Sequence, residues 1–61
     1  MADPDLVPTA DAARMLGISA RTLARYAQQG VVRPALVLPS GHLRWDVADL
    51  RRQLREVHER E

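Results

Sequence analysis

Two short helical patterns separated only by Gly17-Ile18-Ser19 leave this chain few folds to choose from. On the N-terminal side Ala12, Ala13 and Leu16 recur at helical spacing, with Thr9 placed as an N-cap and Pro8 favouring an extended approach. Glycine readily takes the left-handed conformation that ends a helix, so a first helix is expected over about residues 10–16, closed by Gly17. Ser19 then caps a second segment whose apolar positions Leu23, Tyr26 and Ala27 share one face, and Gly30 closes it, giving a helix over about 20–29.

So short a connector forces the two helices to touch at a steep angle, the geometry of a helix-turn-helix. That crossing requires a small residue at the contact, and Ala13 supplies it. It also requires a glycine in the turn and apolar residues that plug the corner and back the second helix. Gly17 meets the first demand, and Leu16, Ile18, Leu23 and Tyr26 meet the second.

Beyond Gly30 the pattern changes. Ala35 to Leu38 and Leu43 to Trp45 flank a Pro39-Ser40-Gly41 turn and read as a small β-hairpin, with Leu36, Leu38, Leu43 and Trp45 expected on its inner face. Alternation then places His42 and Arg44 on the outer face. Asp46 is positioned to cap a last helix, Asp49 lies in its first turn where the helix dipole favours an acid, and Val47, Leu50, Leu54 and Val57 form its apolar stripe. The expected fold is mainly helical with a small β-hairpin, in the order α-α-β-β-α.

With 61 residues the chain is expected to form one domain over 1–61, with residues 1–5 a disordered tail. A domain this small buries only about 60% of its unfolded surface and is marginal in stability. It contains no cysteine, so no disulfide or thiolate metal site supports it, and His42 and His58 alone make no zinc site. No cofactor is implied. The longest apolar run, Ala35-Leu36-Val37-Leu38, is far below the roughly 20 residues of a membrane span, and the expected location is cytoplasmic.

The net charge of +1 conceals an uneven distribution. Residues 1–11 carry Asp3, Asp5 and Asp11 and no base; residues 12–45 carry Arg14, Arg21, Arg25, Arg33 and Arg44 and no acid; residues 46–61 mix both signs. A basic central block is the sequence form of a polyanion-binding surface.

The segments Thr9-Ala10-Asp11-Ala12-Ala13-Arg14-Met15-Leu16-Gly17-Ile18-Ser19, Thr22-Leu23-Ala24-Arg25-Tyr26-Ala27 and Ser40-Gly41-His42-Leu43-Arg44-Trp45 together resemble the MerR-type winged helix-turn-helix. Its small stand-alone members, the phage excisionases and BldC-like regulators, are the most similar. The resemblance spans residues 6–55 and implies a second helix in the DNA major groove with a hairpin wing on the flanking backbone. The chain departs from full-length MerR regulators in lacking their long dimerisation helix and metal-binding cysteines. A Met1 start and a charged ending suit a complete small protein, the alternative being the N-terminal DNA-binding domain of a larger regulator.

On the second helix Arg21 and Arg25 lie one turn apart, opposite Leu23 and Tyr26. Arginine's planar fork can bond guanine O6 and N7 together or clamp a phosphate. Thr22 and Gln28 lie beside them, within reach of base edges or backbone. Ser19 stands at a helix N-terminus suited to a phosphate, although capping alone explains it. His42 and Arg44 are the wing candidates, and Arg14 a backbone candidate near the start of the motif. Trp45 is assigned to the core, and Arg51, Arg52 and Arg55 to a solvated or protein-contacting face.

No catalytic constellation is present: the two serines are a cap and a turn residue, and the glycines lack phosphate-cradling spacing. The expected partner is double-stranded DNA, bound by an excisionase or a transcriptional regulator that is nucleoid-associated when loaded and that works with an integrase or RNA polymerase. Head-to-tail self-association on DNA is expected from the charge distribution. A reading of another class is a protein-interaction module using the same helices as scaffold.

Overall fold

The computed structural model describes residues 5–59; of the expected disordered tail, all but Asp5 lies outside the described residues. The elements run β1 (Val7–Pro8), α1 (Thr9–Leu16), α2 (Ala20–Gln28), β2 (Leu36–Val37), β3 (Leu43–Trp45) and α3 (Val47–Glu59). Three helices pack with a small antiparallel sheet in a winged helix-turn-helix. The core is Ala12, Ala13, Leu23, Val32, Trp45 and Leu50, each no more than 1% exposed.

The turn between α1 and α2 closes as the residue types dictate. Gly17 sits at φ 77, its N–H donates to the Arg14 carbonyl at 3.2 Å, and the Ile18 N–H donates to the Ala13 carbonyl at 3.0 Å. This paired closure satisfies carbonyls left over at the helix end and turns half-buried Ile18 against the core. At the start of α2 the Ser19 hydroxyl accepts from the Thr22 N–H at 3.0 Å, as its position predicts. Asp46 does the same for α3, accepting from the Asp49 N–H at 3.2 Å.

Thr9 departs from its expected role. Pro8 is the N-cap of α1 and no side chain caps that helix. The Thr9 hydroxyl instead accepts from the indole N–H of buried Trp45 at 3.0 Å. A buried donor without a partner costs more than an uncapped exposed amide, which accounts for the exchange. Pro8, extended at ψ 163, belongs to a strand that sequence periodicity does not reveal. It gives the wing three strands in the order β1-β3-β2, with Val7 opposite Trp45 and Pro8 opposite Arg44.

The hairpin register also corrects the expected inner face. Leu36 pairs with Arg44 and Val37 with Leu43, so Leu36 shares the face of Arg44 and is 47% exposed. Val37 takes the place expected for Leu36, on the side of Leu43 and Trp45. The loop causes this: the Leu38 N–H donates to the His42 carbonyl at 2.8 Å, enclosing three residues with Gly41 at φ 93. A loop one residue longer or shorter would reverse every side chain.

Gln53 interrupts the apolar stripe of α3 and is buried. Its amide accepts from the Arg33 N–H at 2.8 Å and donates to the Arg33 carbonyl at 3.0 Å and to an Asp49 oxygen at 2.9 Å. The side chain thus pins the segment joining α2 to the wing. Arg52, bonded to the same Asp49, and then Gln53 hold the Asp49 carboxyl below its ordinary value. Gln53→Leu is expected to cost about 1 kcal/mol, since water reaches exposed Arg33 and replaces part of what is lost. In a domain this small that lowers the thermal midpoint by roughly 4–8 °C, and an unchanged melting curve by circular dichroism would refute the clamp.

Candidate nucleic-acid interface

The polarity of α2 follows from its buried side. Leu23 is fully buried, with Tyr26 and Ala27 half-buried beside it, so the opposite face must stand in solvent. Arg21, Arg25 and Gln28 occupy that face, all exposed, and successive members lie about one turn apart. The ion pairs of the described residues join Arg14 to Asp11 at 3.0 Å and Arg52 to Asp49 and Glu56 at 2.6 and 2.7 Å. Neither Arg21 nor Arg25 has a carboxylate partner among the described residues, because α2 carries no acid and its neighbours in the turn carry none.

Ser19 and Thr22 form a local pair at the N-terminus of α2. The Ser19 hydroxyl donates to the Thr22 hydroxyl at 2.8 Å while accepting from the Thr22 amide. Ser19 has therefore spent its one donor inside the cap, whereas Thr22 retains its own hydroxyl proton. Arg14 lies on α1 in an exposed pair with Asp11, an interaction weak enough to exchange for another anion.

The wing positions His42 and Arg44 by different means. His42 is exposed beside the hairpin loop, its Nδ1 within 2.9 Å of the Ser40 hydroxyl, and so helps to shape the turn. Arg44 is half-buried in the central strand, and its guanidinium donates to the Leu43 carbonyl at 3.1 Å. Arg51 donates to the Met15 carbonyl at 3.3 Å, tying α3 to the end of α1.

Between α2 and the wing runs an open trough of about 330 Å³. Ala24, Ala27 and Gln28 line one side, and Val37, Gly41 and Leu43 the other. Sequence reasoning does not reveal it, since it expects Leu36 rather than Val37 on the face of Leu43. The structure thus gathers Arg21, Arg25 and Gln28 on one ridge, keeps Ser19 and Thr22 at its head, and sets the wing carrying His42 and Arg44 across the trough. Arg14 belongs to α1 and its own ion pair.

No described helix is long and apolar enough to cross a membrane. The family model of the helix-turn-helix domain matches residues 8–57, which takes in both helices of the turn, the wing apart from Val7, and most of α3. No curated protein and no solved structure matches the chain.

Proposed function

The chain belongs to the helix-turn-helix domain family, and we propose that it is a MerR-like DNA-binding protein that reads duplex DNA through α2 in the major groove and steadies itself with the wing on the flanking backbone. The observation that carries this reading is the pair Arg21 and Arg25: exposed, a turn apart on the helix after the turn, and without a carboxylate partner among the described residues. Thr22 and Gln28 extend the reading face, Ser19 caps it, and Arg14, His42 and Arg44 meet phosphates. The protein acts in the cytoplasm as an excisionase or a transcriptional regulator, alongside an integrase or RNA polymerase, and by binding rather than by catalysis.

Binding is expected to weaken steeply with salt. Each phosphate neutralised by arginine releases counterions, so log K falls against log salt with a slope of roughly −0.9 per contact. Fluorescence anisotropy on a duplex should return a slope of several such units. A flat titration would favour the protein-interaction reading, in which the arginines meet an acidic partner.

A single small module buries only about 600–1,000 Å² on DNA, which limits the affinity of one copy. Neighbouring copies are therefore expected to load cooperatively, head to tail, on directly repeated sites, a contact that repeats rather than closes. Sedimentation should show a monomer without DNA. A tight dimer in free solution, or protection confined to inverted repeats, would overturn this arrangement.

A further inference from the structure

The trough between α2 and the wing combines three properties that together select a ligand. Its walls are apolar apart from Gln28: Ala24 and Ala27 on the helix, Val37 and Leu43 on the strands. Val37 is 58% exposed, a large apolar group held in water. The helix that forms one wall, α2, carries Arg21 and Arg25 on its exposed face, holds no acid, and gives neither arginine a carboxylate partner among the described residues. On the wing side His42 is exposed beside the hairpin loop that contributes Gly41.

An apolar strip beside an acid-free helix that carries two exposed arginines fits a ligand with an apolar middle and anionic ends. A phosphodiester strand has that form, since each deoxyribose presents a C–H surface between two phosphates. Resting on the reading above, α2 in the major groove and the wing on the flanking backbone require one DNA strand to pass between them, where the trough lies. We infer that the trough seats a deoxyribose of that strand, with Val37 and Leu43 against its C–H face and the neighbouring phosphates toward the exposed face of α2 and His42 of the wing. This contact adds affinity by removing apolar surface from water and releases no counterion, so it is separable from the arginine contacts.

The separation defines the experiment. Val37→Thr keeps the β-branched shape and strand preference at an exposed position, so the fold is retained, but sets a hydroxyl against the sugar. With a duplex recovered by selection from a random pool, the variant is expected to bind about threefold to tenfold more weakly. Its slope of log K against log salt should equal that of the parent. Isotope-filtered NOEs from ¹³C-labelled Val37 and Leu43 methyls should reach deoxyribose protons. Parent-like affinity of the variant, a changed salt slope, or NOEs only to thymine methyls or to a second copy of the chain would overturn the inference while Arg21- and Arg25-dependent binding stood. Failure of the parent chain to bind any duplex would overturn the DNA reading and this inference with it.

Discussion

Trp45→Ala is expected to leave the chain largely unfolded at 25 °C. Trp45 is the largest fully buried side chain, lies in the central strand of the wing and donates its indole N–H to Thr9 at the start of α1. Truncating a buried tryptophan to alanine costs about 3–5 kcal/mol in lost burial and residual cavity. Native stability of about 0.05–0.15 kcal/mol per residue gives a domain of this length only a few kcal/mol to lose. Trp45→Phe separates packing from the hydrogen bond: it retains a buried ring, forfeits the donor and should stay folded with a lowered midpoint. Far-ultraviolet circular dichroism and urea titration read both variants. Native helicity and an unshifted urea midpoint in Trp45→Ala would show that the sheet does not anchor the helices.

Arg25→Ala or Arg21→Ala is expected to cost about 1–3 kcal/mol on the preferred duplex and to relax the choice at one base pair, if each makes a bidentate base contact. That is roughly a 5- to 150-fold loss of affinity. Stability should be unaffected, because both side chains are exposed and make no described ion pair. Arg44→Ala should instead weaken all duplexes alike, as the loss of a phosphate contact does. Competition between selected and random duplexes distinguishes the two classes. Equal losses on both for the α2 variants would remove α2 as the reader and leave it a positioning element.

Features built from neighbouring residues were legible without coordinates. Gly17 and Ser19 fix the end of one helix and the start of the next through bonds spanning only a few positions, so residue type alone specifies them. The side of α2 that must be buried follows from Leu23, Tyr26 and Ala27, and with it the solvent position of Arg21 and Arg25. Asp46 announces α3 in the same local way.

What the sequence by itself determined, then, is the two helices, their turn, the last helix and the basic ridge, each set by bonds or spacings within a turn or two of chain. Only the tertiary structure decided how the wing is assembled. Strands of two or three residues carry too little periodicity to report their register, so the three-residue loop placed Val37 rather than Leu36 beside Leu43. Val7–Pro8 became a strand because β3 offered it an edge. The Trp45 indole took the Thr9 hydroxyl from 36 positions away, and Gln53 secured Arg33 from 20. Partners so distant in sequence are chosen by which buried polar groups would otherwise go unsatisfied, and that depends on the packed chain as a whole.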